Sequence, residues 1–129
     1  EIAKVMDNLQ ICAPRAPQAA VARAIEPLSA WREENRLEII RRTQALKRVM
    51  ENLPAWKMAS VGAYFAFVRH PFEGEASAAV AERLARQAGV ICIPGSYFGQ
   101  RQDGYLRFAF ANADCETIAS IDTRLSSLE

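Results

Sequence analysis

A single arginine, Arg107, stands inside an otherwise apolar run, GYLRFAFA at residues 104–111. Alternate side chains of an extended strand point to opposite faces, so Arg107 would share a face with Tyr105 and Ala109. The other face would carry the bulky apolar side chains Leu106, Phe108 and Phe110. A guanidinium group is planar and can hold a carboxylate by two parallel hydrogen bonds. Arg107 therefore has two interpretations: it binds a carboxylate in a cleft, or it faces solvent on a half-covered sheet.

Other residues capable of chemistry are isolated in the sequence. His70 is the only histidine and precedes a proline in a loop-like segment, so we expect it at the surface rather than as a catalytic base. Lys4 could form a Schiff base in principle, but its neighbours suggest neither burial nor an activating group. Cys12, Cys92 and Cys115 are widely spaced and form no Cys-x-x-Cys pair, which argues against a metal site. We interpret them as reduced, buried thiols and expect a cytoplasmic protein.

The composition is that of one globular domain. The chain has 129 residues, of which 50% are hydrophobic and 24% charged. Its formal net charge of +1 provides no long-range attraction to nucleic acid or to an anionic membrane surface. The apolar stretches are too short to cross a bilayer. We therefore expect neither a nucleic-acid partner nor a membrane partner.

The elements that would position Arg107 follow from periodicity and from the prolines. EIAKVMDNL looks helical, and a second helix is predicted from Pro17 until Pro27 interrupts it. A long helix is predicted from Ser29 until Pro54 stops it, with apolar residues at helical spacing along one side.

Beyond Pro54 the apolar residues alternate, which is typical of strands. WKMASV and GAYFAFVR predict two strands joined near Ser60 and Gly62, and a helix is predicted from Ser77 to Gly89. VICI predicts a short buried strand and YLRFAFA the last strand, followed by one helix from about Asp114. The predicted fold class is α+β, with a small, mostly antiparallel sheet covered by helices on one face. Three residues of the last strand should be buried against the long helix: Leu106, Phe108 and Phe110.

Four segments, in order, carry a family resemblance. PRAPQAAVARAI, GAYFAFV, VICIPGSYFG and GYLRFAFAN together resemble the C-terminal portion of the class I/II pyridoxal-phosphate-dependent aminotransferases, the aspartate aminotransferase fold type. The likeness covers residues 1 to about 113. It implies the small domain of that fold, in which Arg107 matches the arginine that binds the α-carboxylate of the substrate. It also implies amino acid and 2-oxo acid substrates and a homodimer.

One departure from the family pattern bears on the chemistry. The Ser-Lys segment with its downstream Gly-x-Arg, which supplies the Schiff-base lysine, does not occur here, nor do the residues that hold the pyridine ring. We therefore expect residues 1–129 to be the small (C-terminal) domain of a longer enzyme. Pyridoxal phosphate would bind the parent rather than this fragment, which would contain no catalytic, cofactor-binding or metal-binding residue of its own.

Two alternatives stay open at this point. The parent could be another enzyme of the same fold type, a lyase or a synthase, because an arginine for the α-carboxylate serves those reactions equally well. The domain could instead be a non-catalytic module that binds amino acids for regulation, since small α+β sandwiches host many functions. The role of Arg15 and the preferred amino acid are also open.

Overall fold

The structure is a computed structural model that describes residues 1–9 and 13–128. Three helices come first: α1 (Ile2–Leu9), α2 (Arg15–Ala24) and α3 (Ser29–Asn52). Pro17 lies in the first turn of α2, where a missing amide hydrogen costs no helical hydrogen bond, and α2 ends before Pro27, as predicted. The chain divides into two compact units, Glu1–Arg36 and Leu37–Glu129, with the boundary inside α3.

The second unit contains a four-stranded sheet. Its strands are β1 (Lys57–Gly62), β2 (Phe65–Arg69), β3 (Ile93–Pro94) and β4 (Tyr105–Ala109). Their spatial order is β1-β2-β4-β3, and each neighbouring pair is antiparallel. The remaining helices are α4 (Ser77–Arg83), which continues as a π-helical turn over Leu84–Ala88, α5 (Cys115–Ala119) and α6 (Ile121–Ser126). The predicted α+β class with a small antiparallel sheet is confirmed.

One face of the sheet forms the core. Leu106, Phe108 and Phe110 are buried in the same cluster as α3 residues such as Leu46 and Val49, which confirms the predicted register of the last strand. The burial of β2 alternates in the same way, with the inward side chains Ala66 and Val68 fully buried. Other members of the cluster come from α4, its π-helical turn, α5 and α6: Val80, Leu84, Ile118 and Leu125.

The β1–β2 hairpin differs from its predicted form. GAYFAFVR was expected to be extended from Gly62, but β2 begins at Phe65 and Gly62 pairs with Phe65 across the turn. The two turn residues are Ala63 and Tyr64, and Ala63 adopts a φ of 48°. Two-residue hairpin turns require positive φ because their twist must match that of the strands. Ala63 and Tyr64 therefore belong to the turn, although the alternation of apolar residues predicted them in the strand.

The predicted lengths of two further elements, one strand and one helix, were wrong. VICI was expected to be a buried strand, but only Ile93 of that run is in β3, and Ile91 is 86% exposed. The helix expected from Asp114 is two helices with Ser120 between them. Asp114 does cap the first of these, since its Oδ1 accepts a 2.7 Å hydrogen bond from the Thr117 amide. Among the described residues, no helix is long and apolar enough to cross a membrane.

Candidate functional site

Arg107 lies at the centre of β4, on the face of the sheet opposite the core. Its backbone pairs with Phe67 of β2 on one side and with Ile93 of β3 on the other. The Arg107 side chain is half-buried, whereas its neighbours in the strand, Leu106 and Phe108, are buried. The alternation of the strand thus places the guanidinium among the outward-facing side chains of β2.

Two aromatic rings lie against the Arg107 side chain. Its guanidinium carbon is 4.2 Å from the centroid of the Phe65 ring and 4.4 Å from that of Phe98. A cation over the face of an aromatic ring is attracted by the negative potential of that face. Phe65 comes from β2, whereas Phe98 ends the 3₁₀ turn Gly95–Phe98 that follows β3. The arginine is thus held by one ring from the sheet and one from the loop.

The charge of Arg107 is not neutralised within the described part of the chain. The ion pairs there join glutamates to five other arginines: Arg36, Arg41, Arg42, Arg83 and Arg86. The Nε atom of Arg107 is buried and has no hydrogen-bond partner among the described residues. A buried donor without a partner costs free energy, and two other buried side-chain nitrogens of the described residues, Trp56 Nε1 and His70 Nδ1, share this feature.

The guanidinium lines an open pocket of about 460 Å³, which we call the arginine pocket. Its lining residues are Ser60, Val61, Gly62, Phe65, Ala66, Phe67, Phe98 and Arg107. Apart from Ser60 and Arg107 these residues are apolar or glycine. The pocket therefore offers one fixed cation in apolar surroundings, which suits an anionic group carried on an organic ligand.

A hydrogen-bonded cluster fixes the loop that carries Phe98. Asp103 Oδ1 accepts 2.8 Å hydrogen bonds from both the backbone amide and the hydroxyl of Ser77, at the start of α4. Ser77 Oγ also accepts a hydrogen bond from the Ser96 amide at 3.2 Å. We call these three residues the Ser77–Ser96–Asp103 clamp. The hydrogen bonds from Ser77 hold the pKa of the Asp103 carboxyl below its usual range.

Gly95 packs at the start of the same loop. A Cβ atom at this position would lie 2.1 Å from the Gln102 carbonyl oxygen and 2.5 Å from that of Tyr105. Neither contact is possible for a larger residue without movement of the backbone. PGSYFG stands out in the sequence, but neither this close approach nor the clamp was predicted from it. The close approach depends on the path by which the loop returns to its own start, and the clamp joins residues 19 and 26 positions apart.

His70 was expected at the surface, and this expectation is wrong. The side chain is only 6% exposed, and its Nε2 lies 3.2 Å from the backbone oxygen of Asp103. The ring stacks on Phe72, with centroids 6.0 Å apart. His70 does not line the arginine pocket, and its position indicates a packing role beside the loop.

Among the described residues of the second unit, no lysine or cysteine lines the arginine pocket. Lys4 is exposed on α1, and Lys47 and Lys57 line a separate depression beside Trp56. Burial raises the pKa of the Cys92 thiol to about 12, which makes it a poor nucleophile. Cys12 lies outside the described residues. Within the described part of the chain, no group of histidine, cysteine and acidic side chains could hold a metal ion.

The lining of the arginine pocket includes no amine for a Schiff base and no imidazole or carboxylate for proton transfer. Binding and orienting an anion is therefore the chemistry that this arrangement supports.

Comparison with known families gives one match over most of the chain. The sequence model described as "Aminotransferase class I and II" matches residues 2–125. Aromatic-amino-acid aminotransferase 2 of Thermococcus litoralis is 32% identical over 98 residues, covering 74% of this chain and 25% of the relative. Aspartate aminotransferase of Pyrococcus abyssi is 31% identical with the same coverage. The chain thus spans about a quarter of the length of these curated relatives.

Solved structures share the fold. A crystal structure of a Methanococcus jannaschii protein, described as similar in its active site to kynurenine aminotransferases, aligns with a TM-score of 0.72 at 28% identity. That alignment covers 97% of this chain and 33% of the other. The aromatic aminotransferase of Pyrococcus horikoshii aligns with a TM-score of 0.58 at 27% identity, over 82% of this chain and 27% of that enzyme.

Proposed function

Because this chain belongs to the family of class I and II aminotransferases, we propose that it is the small domain of a pyridoxal-phosphate-dependent amino-acid aminotransferase. In this proposal Arg107 binds the α-carboxylate of the substrate, and the domain closes the active-site cleft around it. The complete enzyme would be a cytoplasmic homodimer that transfers an amino group between an amino acid and a 2-oxo acid.

The observation that carries the proposal is the unneutralised guanidinium of Arg107 in the arginine pocket. An arginine on an otherwise apolar and aromatic surface is costly unless an anion meets it. A carboxylate matches the paired N–H donors of a guanidinium in both charge and shape. The described residues provide no such anion, so the substrate would supply it when it binds.

The relatives' names suggest which substrates to test. Those names include an aromatic-amino-acid and an aspartate aminotransferase. Both kinds of substrate carry the same α-carboxylate, which makes the proposed role of Arg107 independent of the substrate side chain. The apolar lining contributed by Val61 and Phe67 would suit either an aromatic or an aliphatic group nearby.

Pyridoxal phosphate would supply the electron sink for amino transfer in the complete enzyme. The residues that line the arginine pocket do not fit that cofactor, because they include no lysine and no group suited to the pyridine nitrogen. What this chain contributes is binding of the carboxylate, orientation of the substrate and exclusion of water by the apolar lining.

The proposal is tested by replacing Arg107 in the full-length enzyme. Removing one partner of a buried ion pair costs about 3–5 kcal/mol. At about 1.4 kcal/mol per factor of ten, Arg107→Ala should lower kcat/KM by on the order of a hundred- to a thousandfold or more for both L-phenylalanine and L-aspartate. Arg107→Lys should restore only part of this, because an ammonium cannot form the bidentate pair.

The matched control is Arg101→Ala, since Arg101 is an exposed arginine of the neighbouring loop outside the pocket. This variant should retain kcat/KM within about twofold. The cofactor absorbance should be unchanged in every variant, because Arg107 is proposed to contact substrate only. An Arg107→Ala enzyme with wild-type kcat/KM toward both amino acids would refute the carboxylate role.

A further inference from the structure

We propose that Phe65 and Phe98 are positioning residues that hold the Arg107 guanidinium in the orientation in which it binds a carboxylate. This inference rests on the proposed role of Arg107 and extends it to two residues. The contacts that carry it are the two ring centroids at 4.2 Å and 4.4 Å from the guanidinium carbon.

The rings and a carboxylate use different parts of the guanidinium. An arginine that lies over an aromatic ring contacts it through its planar face, whereas its N–H donors lie in the plane. In this proposal the two phenylalanines contact the face of the guanidinium, and the N–H donors of its edge are left for a ligand. The buried Nε of Arg107, which has no partner among the described residues, belongs to that edge.

Holding the side chain before the ligand arrives strengthens binding. A free arginine side chain samples many rotamers and loses that freedom when it forms a bidentate pair. Contact with the two rings restricts the rotamers beforehand. Each phenylalanine therefore contributes to the affinity for a carboxylate without touching it.

The rings are themselves fixed by the fold. Phe65 is the first residue of β2 and pairs with Ala109 of β4. Phe98 packs edge-to-face on Phe67, with centroids 6.2 Å apart, and Phe67 stacks on Tyr105 at 5.0 Å. The Ser77–Ser96–Asp103 clamp anchors the loop on both sides of Phe98. In this proposal the loop thereby fixes the orientation of the Arg107 side chain, which belongs to the sheet.

The test is a double-mutant cycle in the full-length enzyme, measured as kcat/KM for L-phenylalanine and L-aspartate. Phe98→Leu should lower kcat/KM by about three- to thirtyfold, as expected for loss of one partly desolvated cation–π contact. In the Arg107→Ala background the same substitution should change kcat/KM by less than about twofold, because its target is gone. Phe65→Leu should behave in the same way. 3-Phenylpropanoate is a carboxylate without an amino group. In the enzyme that retains Arg107, Phe98→Leu and Phe65→Leu should weaken inhibition by this compound along with kcat/KM.

Two further variants separate positioning from general damage. Phe98→Tyr keeps the aromatic face and should stay within about threefold of wild type, whereas Tyr97→Leu alters an exposed neighbour in the same turn and should have no effect. Equal losses from Phe98→Leu in both backgrounds would overturn the inference, since Phe98 would then act on the substrate directly. If Arg107→Ala itself has wild-type kcat/KM, the proposed function fails and this inference fails with it.

Discussion

The two faces of the sheet share four strands but differ in their surroundings, since one face packs in the core and the other lines the arginine pocket. On the covered face, Leu106 and Val68 are fully buried and pack among helices. On the open face, their neighbours in the sequence, Arg107 and Phe67, contact aromatic side chains beside a pocket. Adjacent residues of one strand therefore contribute separately to the core and to the proposed binding site. A strand can therefore carry a charged side chain without disturbing the core, provided that this side chain points away from the core.

The largest expected difference between the faces is in stability. Leu106→Ala removes a fully buried side chain and should lower the free energy of unfolding by about 2–5 kcal/mol. Arg107→Ala, at the next position, should lower the free energy of unfolding by at most about 1 kcal/mol, because the loss of two cation–π contacts is offset by removal of a buried donor without a partner, and no core packing is lost. Urea denaturation followed by circular dichroism measures both. Equal losses for the two variants would mean that Arg107 supports the fold and that the faces are not separable.

An intermediate effect is expected where the loop meets the open face. Gly95→Ala should cost about 1–3 kcal/mol, since the added Cβ would overlap two backbone oxygens and displace the loop. Gly104→Ala is the matched control, because nothing lies within 4 Å of a Cβ built there. The control should be within about 0.5 kcal/mol of wild type in urea denaturation. If both variants are equally stable, the loop is looser than the close approach at Gly95 implies.

The smallest expected effect is a pH dependence from the Ser77–Ser96–Asp103 clamp. The pKa of Asp103 is lowered in the folded protein, so the folded state favours the ionised carboxyl. Its contribution to stability is present above the unfolded pKa of about 3.9 and is lost as the pH falls through the lower folded value. Asp103→Asn should therefore be less stable than wild type at pH 7, and the difference should shrink below about pH 4 in parallel urea titrations.

Glu73→Gln, which alters an exposed carboxylate in the loop before α4, is the control and should show no such convergence. If the free energies of unfolding of Asp103→Asn and wild type differ by the same amount at pH 3 and pH 7, the stability of the clamp does not depend on the charge of Asp103.

The residues of the open face could be predicted from the sequence, but the contacts among them could not. The alternation around Arg107 predicted which side chains are buried, because that property depends on a single strand. The contacts of Arg107 with Phe65 and Phe98 could not be predicted, since they require the β2–β4 register and the path of a loop. His70 was misplaced for the same reason: its burial depends on the distant segment around Asp103. VICI alternates inward and outward as a strand would, but only Ile93 finds a partner in β4.

Both edges of the sheet resist addition of another strand. Edge strands with free backbone groups invite pairing between molecules and aggregation, especially beside exposed aromatic side chains. Here β3 has only two residues, and one of them, Pro94, has no amide hydrogen to donate. At the other edge, β1 begins at Lys57 and contains a register shift between Met58 and Ser60. These interruptions allow the sheet to expose an aromatic surface without templating intermolecular β-structure.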